Sequence, residues 1–288
     1  MARSTFAPDC EIDWVQRDRR IIEGLDHLGI ELVSVNLYQA MLPGLTNVTE
    51  RARYYAFYPW TVHRYAQDGP SVRSKAAWRN WFRSLDFTYA VACMAYEKAL
   101  GQDLRSAVVG ADRAGKLIKD ELPSAKIDLR GPSAVEESGN VPQSGAYFKN
   151  PEGGFGQYYR GPLRELGVIR EHEGSAWPDV QLSNYAGKRI AETIDKKKAF
   201  DELKSLAIEG SAQLSELSRI GKVIHPSAIE PDSEEAILLR QLIFGVDSTL
   251  CQGQDPKHIQ WRRDSLLLML HYIREAGVVE DPIAYEFR

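Results

Sequence analysis

"PGLTNVTERARYYAFYPWTVHRY", residues 43–65, is the stretch on which the fold turns. Six aromatic rings occupy the twelve positions from Tyr54 to Tyr65, interleaved with Arg51, Arg53, His63 and Arg64. A surface that stacks on single-stranded nucleic acid would use such rings as platforms, each worth about 1–3 kcal/mol. A buried helical seam would use them as filling, each ring removing about 150–250 Å² from water. Spacing favours the seam. A helix from about Val48 to Tyr58 sets Arg51, Tyr55 and Tyr58 on one side, and Tyr54, Phe57 and Trp60 partly on another. Asn47 followed by Glu50 has the spacing of an N-cap and its third residue, with Thr46 as the competing cap. Pro59 removes a helical donor and is expected to kink or restart the helix.

The partner of that seam lies just downstream. In "RSKAAWRNWFRSLDFTYAVACMAYEKAL", residues 73–100, Trp78, Trp81, Leu85, Tyr89, Ala92 and Tyr96 recur at three- and four-residue steps, the strongest helical pattern in the chain. Twelve of the 28 aromatic residues fall between Tyr54 and Tyr96, so two neighbouring helices can pack ring against ring. The alternative keeps some polar ring tips at a groove edge, where Arg51, Arg53 and Arg64 would form a second basic and aromatic surface.

Around this pair, the chain reads as mainly α. Residues 13–42 alternate apolar and charged positions near a helical period, and Pro43-Gly44 ends them as a turn. A further helix fits 104–121. The C-terminal region reads as helices over roughly 199–207, 211–221, 232–245 and 256–276, the last with a wide apolar stripe in "WRRDSLLLMLHYIREAG". Between these regions the composition shifts. Ten of the 36 residues in 121–156 are Pro or Gly, which reads as a loop or insertion and marks the best boundary. The expected organisation is a helical domain with an aromatic core over 1–120, a Gly/Pro-rich loop over 121–154, a small α/β unit over 155–198 and a helical region over 199–288. The closing "IAYEFR" is unusual as a free tail, and the sequence leaves open whether the chain ends at Arg288 or continues past it.

Bulk properties exclude several classes. A chain of 288 residues, 43% hydrophobic and 26% charged, can bury a large core without staples. No run of about eighteen apolar residues occurs, so no membrane contact is expected. Three scattered cysteines and the absence of an apolar leader in the first fourteen residues point to a reducing cytoplasm. The net charge of −4 conceals a basic middle: residues 43–119 carry twelve basic and six acidic groups, while 200–288 carry nine and fifteen. One basic face is compatible with that partition; a chain coating nucleic acid over its whole surface is not.

Catalytic signatures are lacking. The six histidines have no metal-ligand spacing with each other or with cysteine. "GGFG" at 153–156 lacks the lysine and hydroxyl residue of a phosphate loop. Glu171, His172 and Glu173 read as a solvated loop. The expectation is therefore a non-enzyme without cofactor or metal.

One segment resembles a known module. "YYRGPLRELGVIR", "EHEGSAWPD" and "VQLSNYAGKRIAETI" follow one another as helix, strand, turn, strand and helix, and resemble the second half of a winged-helix domain. Leu163, Leu166, Val168, Ile169, Leu182, Ile190 and Ile194 match its small apolar core. Gly161-Pro162 confines the recognition-type helix to about 162–166. The resemblance implies contact with double-stranded DNA through Arg160, Arg164, Lys188, Arg189, Lys196 and Lys197, which would position phosphates without reading sequence. The acidic "EHEGSAWPD" argues against a wing lying along phosphates. "LPGLTNVTERARYYAFYPW" and "WRRDSLLLMLHYI" further resemble uncharacterised bacterial proteins of restriction and anti-phage loci, which implies an accessory role beside a partner protein encoded nearby. The runner-up reading is a helical scaffold that binds only protein and tethers an ATPase or nuclease subunit; the third is an enzyme whose unrecognised site assembles from distant residues.

Overall fold

The computed structural model describes residues 30–46, 48, 49, 51–101, 108–172 and 177–275. The expected helix before residue 30 lies outside them. The chain divides into two units, Met1–Asn36 and Leu37–Arg288. Of the first, only the start of helix α1 (Ile30–Met41) is described.

Among its described residues the larger unit is mostly helical, with two small two-stranded sheets. Its axis is α3 (Lys75–Ala99), which Ser74 caps by accepting from the Ala77 amide at 3.1 Å. α2 (Tyr54–Asp68) supplies the other half of the aromatic seam and runs through Pro59. It begins six residues later than expected. Thr46 and Thr49 close a turn of their own instead of capping it, the Thr46 amide donating to Thr49 Oγ1 at 2.9 Å. Asn47 and Glu50, the expected cap and its partner, lie outside the described residues.

The rings of the two helices are buried together. Tyr54, Phe57, Tyr58, Trp60, Tyr65, Trp78, Phe82 and Tyr89 have no exposed surface. Phe57 stacks on Tyr89 at 4.5 Å, and Tyr65 meets Trp78 edge-on at 4.9 Å. Such pairs add about 0.5–1.5 kcal/mol each beyond burial. Three polar tips of this cluster are satisfied internally: Trp60 Nε1 donates to Asp195, Trp81 Nε1 to the Thr61 carbonyl, and Tyr89 Oη to the Ile224 carbonyl. The six rings from Tyr54 to Tyr65 are core.

α4 (Ala111–Ile118) packs on α3, and residues 102–107 before it are not described. Next come β1 (Lys126–Asp128), the single turn α5 (Arg130–Ser133), a π-helical turn (Phe155–Tyr159) running into α6 (Arg160–Glu165), and the antiparallel hairpin of β2 (Ile169–Glu171) and β3 (Val180–Leu182). Ile169 lies opposite Leu182, and Glu171 opposite Val180. α7 (Ala186–Asp195) follows and packs on α2. α8 (Lys198–Glu209), β4 (Ser211–Gln213), α9 (Leu214–Ile224), α10 (Glu234–Phe244) and α11 (Pro256–Glu275) complete the elements of the described residues. β4 pairs antiparallel with β1, which ties the region after α4 to the C-terminal helices.

α9 lies along α3 at close range. A Cβ on Gly221 would stand 2.0 Å from the Ala92 carbonyl oxygen, so only glycine permits this approach.

Residues 121–156 are mostly irregular, as composition predicts, but they are packed. Ile127, Leu129, Tyr147 and Phe155 are buried. α3 holds this segment through two buried charges. Arg83 donates to the carbonyls of Ser133, Phe148 and Asn150 at 3.1, 3.1 and 2.7 Å. Asp86 accepts from Tyr58 Oη at 2.9 Å, from Tyr147 Oη at 2.8 Å and from the Gly154 amide at 2.9 Å. Burial pushes the Asp86 carboxyl above its ordinary range, against the pull of those three donors and of Arg83.

Candidate interaction surfaces

The basic residues singled out for phosphate contact lie on α6, on α7 and just past the end of α7, and nearly all have carboxylate neighbours. Arg160 lies 3.0 Å from Glu152 and 2.8 Å from Asp179, with Glu171 at 3.8 Å. Burial opposes its charge, but Glu152 and Asp179 outweigh that and hold it above the ordinary arginine value. Burial raises the Glu152 carboxyl in turn, opposed by Arg160. Arg160 is therefore an internal strut between the π-helical turn and the hairpin. Arg164 is exposed and lies 3.2 Å from Glu171, which takes up part of its field. Arg189 lies 3.6 Å from Asp247. Lys196 meets Glu234 at 2.9 Å, and Lys197 meets Glu235 at 2.5 Å. Lys188 is exposed on α7 with no ion pair among the described residues.

The second basic surface does not form. Arg53 has no exposed surface and lies 2.7 Å from the equally buried Glu235. Arg64 binds Asp195 at 2.6 Å and also Asp201. Arg51 is half-buried. The charges of Arg53 and Arg64 are consumed in joining α2 to α10, α7 and α8, because a charge beside a ring core must be paired to be tolerated.

A different surface stands out on α11, where sequence shows an apolar stripe without showing what covers it. Its root is fixed. Arg262 is fully buried and donates to the carbonyls of Ile243 and Pro43 at 2.7 and 2.8 Å and to the Gln254 side chain at 2.8 Å. Gln254 in turn donates to the Leu166 carbonyl at 2.9 Å. Beyond Arg262 the helix leaves the body. Leu267, Leu268, Leu270 and Tyr272 are 51%, 64%, 51% and 70% exposed. From Ser265 to Ile273 no side chain is acidic or a lysine or arginine. A shallow apolar groove between α10 and α11, lined by Ile237, Phe244, Val246 and Leu267 together with Arg240 and Arg263, continues this surface.

A polar relay sits elsewhere. His225 ends α9 with Nε2 3.0 Å from Glu97 and Nδ1 2.6 Å from Ser227 Oγ. The Ser227 amide also donates to His225 Nδ1, so the ring caps the short 3₁₀ turn Pro226–Ala228.

Among the described residues no group of three or more His, Cys, Asp and Glu side chains could hold a metal ion. No helix among them is long and apolar enough to cross a membrane. Compared with protein families, curated proteins and solved structures, the chain gives no match.

Proposed function

We propose that this chain is a helical scaffold that acts by binding protein through α11. The observation that carries the reading is the uncharged apolar tip of α11, uncovered by the rest of the described chain and mounted on the buried Arg262. A helix apolar on most of its circumference is expected to be enclosed, and a contiguous apolar patch of this kind marks an interaction site. A place beside a partner encoded in a bacterial defence locus, tethering an ATPase or nuclease subunit, follows from the resemblance noted above.

The reading is tested by pull-down of proteins encoded beside this one, with the parent chain and with Leu268→Glu/Tyr272→Glu. Capture by the parent and at least tenfold weaker capture by the variant, at unchanged helical content, is expected. Equal capture by both would refute it.

Contact with duplex DNA through a winged-helix-like unit is the second reading. It is supported by the α6–hairpin–α7 order and by Arg164 and Lys188, which are exposed on its two helices. The ion pairs of Arg160, Lys196 and Lys197 weigh against it. A salt titration decides: phosphate contacts predict affinity that falls steeply with salt and is weakened by Arg164→Ala/Lys188→Ala/Arg189→Ala.

A further inference from the structure

We propose that Ser227 is a nucleophile, activated by His225 and Glu97, that takes the acyl group of an activated ester. This makes the polar relay at the end of α9 a reactive site, whatever α11 binds.

Three side chains stand in the order that acyl transfer needs. Ser227 is exposed, His225 half-buried and Glu97 buried. Ser227 Oγ lies 2.6 Å from His225 Nδ1, and His225 Nε2 lies 3.0 Å from Glu97 Oε1. A hydroxyl within reach of a base, with the base oriented by a third group, is the arrangement that activates a weak nucleophile. Glu97 stands on α3, 128 positions from His225, so no local motif in the sequence announces it.

The backbone decides which ring nitrogen is the base. The Ser227 amide donates to Nδ1 at 3.2 Å. Nδ1 is therefore the acceptor of the neutral ring, and the proton sits on Nε2, donated to Glu97. Of the two donors on Nδ1, only the hydroxyl can give its proton away. Glu97 Oε2 is buried without a donor. The carboxylate's hydrogen bonding among the described residues is thus directed at His225, where it stabilises the imidazolium that proton transfer creates. The amide's positive end works against that imidazolium, and the carboxylate works for it. The ring is also held in place. The His225 amide donates to the Gly221 carbonyl at 2.8 Å, Tyr89 Oη holds the preceding carbonyl at 3.0 Å, and Tyr96 meets the imidazole edge-on at 5.7 Å.

The Oγ lone pair forms the bond to the acyl carbon as its proton passes to Nδ1. The ester C–O bond then breaks, and the leaving oxygen takes that proton from Nδ1. Water removes the acyl group by the same path, giving its proton to Nδ1, which returns one to Oγ. Exposure leaves Oγ open to a small acyl donor approaching from solvent.

The test treats the full chain with p-nitrophenyl acetate in mildly alkaline buffer, following nitrophenolate release by absorbance and mapping acetylated residues by mass spectrometry. Ser215, an exposed serine at the other end of α9, is the internal control. Ser227 is expected to acetylate at least about a hundredfold faster than Ser215, the gain of a positioned base, in a comparison that needs no variant to fold. His225→Asn keeps an acceptor for the Ser227 amide but removes the base, and should slow labelling of Ser227 at least about tenfold at unchanged helical content. Glu97→Gln keeps an acceptor for Nε2 without the charge. It should slow labelling about tenfold and remove the far-downfield proton resonance of an imidazole N–H bound to a carboxylate. Equal labelling of Ser227 and Ser215 overturns the proposal. So does fast labelling of Ser227 that His225→Asn leaves unchanged, because His225 is then a cap alone. Fast labelling indifferent to Glu97→Gln overturns the part given to Glu97.

Discussion

Removing the carboxylate of Asp86 should detach residues 147–154 from the aromatic core. Its two oxygens accept from Tyr58, Tyr147 and the Gly154 amide, all within 2.9 Å and all buried. Asp86→Ala strands three donors. The Gly154 amide is fixed by the backbone, and the two phenols sit in a ring cluster with little freedom to turn. An orphaned buried donor costs about 1–3 kcal/mol. Part of that sum is returned, because the variant no longer buries a carboxyl that burial already disfavours. The net expectation is a loss of about 3–5 kcal/mol, a large share of the 5–15 kcal/mol typical of a domain. Asp86→Asn keeps one oxygen and should lose only about 1–2 kcal/mol. Urea unfolding followed by tryptophan fluorescence at pH 7 measures both, and amide exchange reports whether residues 147–154 loosen first. An alanine variant within 1 kcal/mol of the parent would refute the reasoning.

Other perturbations follow from the same geometry. Because Asp86 and Glu152 are both raised in the folded chain, the folded state holds their protons more tightly than the unfolded one. Their stabilisation is complete below the ordinary carboxylate values and is lost as pH rises through the raised ones; Asp86→Asn should flatten that decline in urea midpoints. Gly221→Ala drives a methyl into the Ala92 carbonyl and should cost at least about 3 kcal/mol by thermal unfolding, against under 1 for alanine at Gly161, where nothing lies within 4 Å. Glu235→Gln leaves Arg53 buried beside a neutral amide and should cost about 3–5 kcal/mol in the same measurement.

Local chemistry was readable in the sequence where it decides the outcome. Ser74 caps α3 as a hydroxyl before a periodic run should, and the ring spacing from Trp78 to Tyr89 does place those side chains in the core. What escaped reading depends on partners far along the chain. Composition shows 121–156 as irregular, but the groups that pin it, Arg83 and Asp86, lie 50–68 positions from the atoms they bind. The same holds for charge. Arg53 and Lys197 look like solvent-facing cations until folding brings Glu235 between them. α11 shows the converse limit: a helical period reveals that a stripe is apolar, but not whether the chain itself provides a cover.

The anchoring of Arg262 has a practical consequence for dissecting the molecule. Its guanidinium joins the turn before α2, the end of α10 and the segment leading into α11 at one point. A chain cut back to end shortly after Asp264 keeps that junction and sheds only the greasy tip, so it should stay folded and become more soluble. A chain cut before Arg262 leaves the carbonyls of Pro43 and Ile243 without their donor, and the damage should spread to elements that never touch the deleted residues.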